Sequence, residues 1–194
     1  MARQNDLGRD LARIAVFAAL IVVLGMVTLP LPGGVPITAQ TLGVMLAGAV
    51  LDPRRAPLAV LLVLVLAALG LPVLAGGRGG LGVFVGPTAG YLLGWVIGAV
   101  LIGLLVRGHR ISWWRTALAT VVGGILVVYL FGIPVQALVL GLDLQTAAAS
   151  SLVFLPGDLL KAAAATALVL ALRRAYPPAF GRAGIDAPAS ARAA

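Results

Sequence analysis

The last long apolar run of the chain, FLPGDLLKAAAATALVLALRR at 154–174, carries Asp158 and Lys161, and Lys161 is the only lysine in the protein. A charge at the centre of a membrane helix costs about 2.5–3.5 kcal/mol even on a lenient insertion scale, so two within one turn need a reason. Their i, i+3 spacing puts both on one helical face. Pro156 suits the entrance of a helix beginning near Gly157, and Asp158 then falls in the first turn, where the helix dipole favours a carboxylate. An acceptor-only group beside a donor-only group suits a small polar ligand held in an apolar pocket. A salt bridge that cancels its own charge is the plainer reading of the same spacing.

Arg78, in AGGRGGLG, is the second stranded charge. Gly76 and Gly77 precede it and Gly79 and Gly80 follow, so the backbone can fold tightly there and bring N–H groups close to an anion. A loop arginine facing lipid headgroups is the alternative. Thr38 and Gln40 in PITAQ, Tyr91 in GPTAGY and Gln136 in GIPVQ add neutral donors and acceptors near the same side, each of which could equally satisfy nearby backbone. Catalytic chemistry has little to work with. Cysteine is absent, His109 is the only histidine and lies in a basic turn, and no GxxxxGK[ST] phosphate loop occurs. No catalytic or metal-ligating residues are assigned, and a binding subunit fits better than an enzyme.

These residues must be positioned by apolar elements. Of the 194 residues 61% are hydrophobic and 10% charged, which describes an all-α integral membrane protein rather than a soluble domain. Apolar runs predict about six transmembrane helices: 9–29, 38–51, 56–70, 87–106, 113–132 and 157–174, the second, third and last of them short for a bilayer. Residues 1–8 form an amino-terminal segment retained without cleavage, 9–174 the membrane domain, and 175–194 a flexible tail rich in Ala, Pro and Gly. The net charge of +8 does not indicate nucleic acid, because the arginines sit in short connections. LDPRRAP at 51–57 and RGHRISWWR at 107–115 read as cytoplasmic, which puts both termini on that side. Arg78 and Lys161 are the two of the 14 basic residues that this orientation does not explain. Trp113 and Trp114 read as an interfacial belt against membrane lipid.

The outer connections differ in kind. LPLPGGVPITAQ (29–40) and LPVLAGGRGGLGVFVGP (71–87) are rich in Gly and Pro yet apolar. Irregular backbone of this sort survives at membrane depth only where protein buries it or a polar cavity adjoins it. With FGIPVQALVLGLD (131–143) they are expected to cover a site, and 143–155 to lie at the interface or insert partly. Gly82, Gly86, Gly90, Gly94 and Gly98 recur every four residues and suit close helix packing, as do Ala15 and Ala19 in the first helix. Such a ridge can be internal or can dock a membrane partner.

GGVPITAQTLGVMLAGAVLDPRRA, GLPVLAGGRGGLGVFVGPTAGYLLGW and FLPGDLLKAAAA together resemble the BioY family, the biotin-binding substrate subunits of energy-coupling factor transporters, over about residues 9–174. The resemblance implies a six-helix subunit that captures biotin from outside the cytoplasmic membrane. It needs no cofactor of its own and works with a transmembrane coupling protein and a pair of ATPases. It makes Asp158 and Lys161 ligand-binding residues, with Gln40, Thr38, Tyr91 and the loop around Arg78, including Gly77 and Gly79, as further candidates. It makes Ala15 and Ala19 the contact with the coupling protein. Biotin's ureido N–H donors suit Asp158, its ureido oxygen a donor such as Lys161, its carboxylate a cation such as Arg78, and its rings Phe84 and Tyr91. Arg78 and Lys161 can exchange parts in this scheme. A subunit for another vitamin, or a scaffold without a ligand, remains the alternative.

Overall fold

The computed structural model describes residues 2–29, 35–106 and 112–180. Within them the apolar runs are helical, as hydrocarbon demands when every backbone N–H must find a partner within its own segment. In chain order the elements are α1 (Ala2–Gly25), β1 (Thr28–Leu29), β2 (Ile37–Thr38), α2 (Gln40–Val50), α3 (Ala56–Ala68), α4 (Ala89–Val106), α5 (Trp113–Val121), α6 (Val127–Leu140), α7 (Leu144–Ser151) and α8 (Leu155–Ala175). A π-helical turn, Val122–Leu126, joins α5 to α6, and a 3₁₀ turn, Leu152–Phe154, joins α7 to α8. The result is six rods. Three segments are long and apolar enough to cross a membrane alone among the described residues: Ala89–Val106, Trp113–Leu140 and Leu144–Ala175. α2 and α3 are shorter, as their sequence runs foretell.

Several boundaries differ from the sequence reading, each for a physical reason. The first helix ends at Gly25 rather than at 29, because Thr28–Leu29 leaves it to pair antiparallel with Ile37–Thr38, Thr28 opposite Thr38. The segment 131–143, expected to be an outer loop, is instead helical to Leu140. Pro134 removes one N–H from α6 but lies exposed, and losing one hydrogen bond costs less than unwinding two turns in lipid. Gly141 then ends α6 in the left-handed conformation, at φ 65°. The segment 143–155, expected to lie at the interface or to insert partly, is the start of the sixth rod. Asp143 caps it, accepting from the Thr146 amide at 2.9 Å and from the Thr146 hydroxyl at 2.6 Å. Those bonds, the hydroxyl's first, hold the Asp143 carboxyl below its ordinary pKa. Of the tail expected from 175, Ala175 belongs to α8, Pro177–Ala179 forms a turn and Phe180 is buried in the core. Residues 30–34 of the first connection, 107–111 of the basic turn and 181–194 of the tail lie outside the described residues.

α4 is the central rod. A Cβ on Gly90 would strike the Phe131 carbonyl, one on Gly94 would lie 2.7 Å from Val128 Cα, and one on Gly98 would strike the Gly123 carbonyl. These three glycines let α4 approach α6 and the π turn at backbone contact, so their ridge is internal. Gly82 and Gly86 belong to the connection before α4 and have no such neighbours. At the arginine-rich end, Arg55 bridges Asp10 of α1 and Asp52 of the α2–α3 turn, both at 2.6 Å. Asp52 also accepts the amides of Arg54 and Arg55 at 2.9 and 3.0 Å, which fixes that turn. Nearby, Trp113 and Trp114 are exposed, with the Arg115 guanidinium 5.0 Å from the Trp114 ring centre.

Gly94→Val forces α4 off α6 and is expected to cost at least the 1–3 kcal/mol typical of overpacking, roughly, while Gly82→Ala is neutral. Thermal unfolding of the two purified variants in detergent checks this; equal midpoints would show that the α4–α6 contact is not a constraint.

Candidate functional site

A cavity opens where the β1–β2 hairpin and the α3–α4 connection meet the ends of α2, α4, α6 and α8. Its walls include Thr38, Gln40, Arg78, Tyr91, Asp158 and Lys161, and it is partly open to the surroundings. Of the sequence candidates, these six therefore come together from five separate elements.

The floor is built on α8. Pro156 occupies its first turn, and Asp158 and Lys161 follow on one face, as their spacing requires. Asp158 is 5% exposed. Its Oδ1 lies 2.7 Å from Lys161 Nζ, so the self-cancelling salt bridge does exist. The pair is also more than that. Lys161 donates to the Thr38 carbonyl at 2.7 Å and to Thr41 Oγ1 at 3.1 Å, which occupies all three ammonium hydrogens. Asp158 Oδ2 accepts from the Tyr129 hydroxyl at 2.7 Å. Removing either charge strands the other, a loss of about 3–5 kcal/mol for a buried pair.

The rim is built from glycine geometry. Gly76, Gly77 and Gly80 have φ of 69°, 71° and 84°, a region closed to most side chains, and they fold the chain so that Leu74 and Arg78 exchange backbone hydrogen bonds. Arg78 Nε donates to the Ala75 carbonyl at 3.1 Å. Its remaining guanidinium N–H groups have no acceptor among the described residues, and Arg78 lines the cavity. Lys161 is saturated and Arg78 is not, which separates two cations that the sequence treats as interchangeable.

Three candidates contribute differently from what their residue types suggest. Gln40 is buried, and its amide is fully engaged with backbone. Nε2 donates to Val73 O at 3.0 Å and Ile21 O at 3.4 Å, and Oε1 accepts from Ala75 N at 3.1 Å. It clamps the rim loop to α1 and α2. Tyr91 presents its ring to the cavity, but its hydroxyl donates to Gln136 Oε1 at 2.6 Å and meets Ser151 Oγ at 3.0 Å. Gln136, itself off the cavity wall, thereby joins α4 to α7. Thr38 serves through its backbone carbonyl, while its hydroxyl accepts the Gln40 amide.

Phe84, Gly77 and Gly79 do not line the cavity. Phe84 packs against the core beside it, Gly77 shapes the turn, and a Cβ on Gly79 would strike the Leu71 carbonyl. Ala15 and Ala19 are exposed on α1 and take no part in the cavity.

Sequence reasoning misses Thr41, Trp95, Tyr129 and Phe154, all on the wall. Two signals were available. Trp95 follows Tyr91 by one turn on the same face of α4, and Tyr129 places a phenol in an otherwise apolar run, where such a group needs a partner. Tyr91 and Tyr129 meet edge to face, with centroids 6.4 Å apart. Chemically the site offers aromatic walls, a fixed carboxylate at the floor and an open guanidinium at the rim. It suits a small ligand with an apolar body, a hydrogen-bond donor at one end and an anion at the other.

Fold and site thus define a helical membrane protein with a largely apolar cavity, carrying a few convergent polar groups, under two loops at one end. The BioY family model matches residues 1–178. A biotin transporter BioY of Rhizobium etli is 49% identical over 179 residues, covering 87% of this chain and 95% of its own. One from Rhodobacter capsulatus is 52% identical over 165 residues, covering 79% and 87%. A crystal structure of the S-component for biotin from an ECF-type ABC transporter superposes with a TM-score of 0.82 at 33% identity, covering 88% of this chain and 93% of that one. The chain belongs to the BioY family, and like its relatives it is a multi-pass membrane protein and not an enzyme.

Gln40→Leu keeps the volume but strands the Val73 carbonyl and the Ala75 amide, each costing about 1–3 kcal/mol if left unpaired. It is expected to speed amide hydrogen exchange across 71–80 by at least tenfold while leaving α4 protected. Unchanged exchange would mean that Gln40 does not hold the rim.

Proposed function

We propose that this chain captures biotin for uptake, as the substrate-binding subunit of an energy-coupling factor transporter in the cytoplasmic membrane. Its termini and its Arg54–Arg55 turn face the cytoplasm and the cavity faces outward, in keeping with the concentration of arginine at the end opposite the cavity. A transmembrane coupling protein and a pair of ATPases supply the energy, since the chain carries no phosphate loop of its own.

The cavity is the observation that carries this reading, because its polar groups match biotin's in type and in order. One edge of the ureido ring presents an N–H and a carbonyl oxygen side by side. Asp158 and Lys161, with charged atoms 2.7 Å apart, offer the complementary acceptor and donor. The ureido oxygen takes over a Lys161 hydrogen now given to Thr38 or Thr41. The bicyclic body lies among Tyr91, Trp95 and Phe154. The valerate carboxylate meets Arg78, the cation whose N–H groups are open.

Purified protein in detergent is expected to bind biotin saturably in a calorimeter. Asp158→Asn and Lys161→Ala are expected to lose at least tenfold in affinity while still inserting; unchanged affinity in both would make the pair purely structural. Arg78→Gln is expected to weaken biotin about tenfold, the value of roughly 1.4 kcal/mol of charge-assisted bonding, and to leave the uncharged biotinamide unaffected. Equal weakening of both ligands would remove Arg78 as the carboxylate partner.

Ala15 and Ala19 form the proposed contact with the coupling protein: they are small, exposed, and on a helix that adds no residue to the cavity wall. Replacing both with Leu is expected to spare biotin binding and to cut biotin uptake by cells that supply the energising module. Unimpaired uptake would contradict the assignment.

A further inference from the structure

Asp158 is held from both sides, and its second partner has no part in the capture scheme above. The Tyr129 hydroxyl donates to Asp158 Oδ2 at 2.7 Å, while Lys161 occupies Oδ1 at the same distance. Tyr129 is half-buried on the cavity wall, and its ring abuts Tyr91 at 80°. Tyr91 is in turn fixed by Gln136 and Ser151. The phenol is therefore pinned at the ring and committed at the oxygen.

Its direction is set by the π turn. Val122–Leu126 adds one residue to the rod, which rotates everything after it by about 100°, the angle per residue of an α-helix. Gly123 and Gly124 permit this, since a Cβ on the first would meet Ile102 and on the second Met45. Without that rotation the face carrying Val128 and Tyr129 would turn away from the cavity that both now line.

We propose that Tyr129 is a specificity-determining positioning residue: by holding Oδ2 it locks the orientation of the Asp158 carboxylate, which cannot then swing its lone pairs away from the ligand. A ligand then needs an N–H at that point. One with a ring oxygen there would set lone pair against lone pair in a desolvated site, which is the kind of mismatch that hydrogen-bonding pockets reject strongly. The inference rests on biotin being the ligand.

The test is calorimetry on the full chain in detergent with two ligands: biotin, and a carbamate analogue in which one ureido N–H is replaced by oxygen. Tyr129→Phe is expected to weaken biotin about tenfold and the carbamate less than twofold, so that selectivity narrows about tenfold. Tyr129→Phe combined with Asp158→Asn is expected to be no weaker than Asp158→Asn alone, because Tyr129 acts through the carboxylate. Equal weakening of both ligands, additive losses, or unaltered biotin binding by Tyr129→Phe would each overturn the proposal. If Tyr129→Phe fails to fold, Tyr129→Met, which also lacks a donor, must give the same narrowing. A wild-type chain that binds no biotin overturns the capture function together with this inference; a wild-type chain that binds and a selectivity that does not change overturns this inference alone.

Discussion

The buried ion pair between Asp158 and Lys161 is the constraint that the rest of the site obeys. Two charges inside an apolar bundle survive only if every hydrogen and most lone pairs are answered, and here the answers come from three other elements. Thr38 of the hairpin and Thr41 of α2 take Lys161, and Tyr129 of α6 takes the far oxygen of Asp158. The same bonds that offset desolvation draw these elements around one point and leave a cavity between them. Electrostatics of the pair and shape of the site are one problem with one solution.

Backbone contact at α4 makes that convergence possible. Gly90, Gly94 and Gly98 bring α6 and the π turn against α4 without intervening side chains, and Gly132 lies directly against the Tyr91 ring. This closeness carries the Tyr91–Gln136–Ser151 hydrogen bonds behind the aromatic wall. The rim is fixed separately, by Gln40 of α2 reaching the backbone of α1 and of the 73–75 segment. Floor, wall and rim thus have distinct anchors, and the guanidinium of Arg78 is the polar group that the rim leaves open to a ligand.

Much of this was legible in the sequence. The six rods follow from apolar runs, and the shortness of α2 and α3 follows from run length. The Asp158–Lys161 face follows from i, i+3 spacing, and Arg78 from its failure to fit the charge rule. What was not legible depends on tertiary partners. Pro134 reads as a helix breaker, yet the rod continues because lipid penalises the alternative more. Gln40 and Tyr91 read as ligand donors, because nothing local reveals that Val73, Ala75, Gln136 and Ser151 will meet them. Tyr129 and Trp95 vanish into apolar runs, since their polar atoms are a small part of large hydrophobic side chains. The π turn has no propensity signature beyond a pair of glycines.

A structure of the chain with biotin bound tests the central claim most directly. The ureido edge is expected on Asp158 and Lys161, with the Tyr129–Asp158 bond retained, and the carboxylate within hydrogen-bond distance of the Arg78 guanidinium. Biotin bound elsewhere, or bound in the cavity with its carboxylate on Lys161 and its ureido ring at the rim, would contradict it.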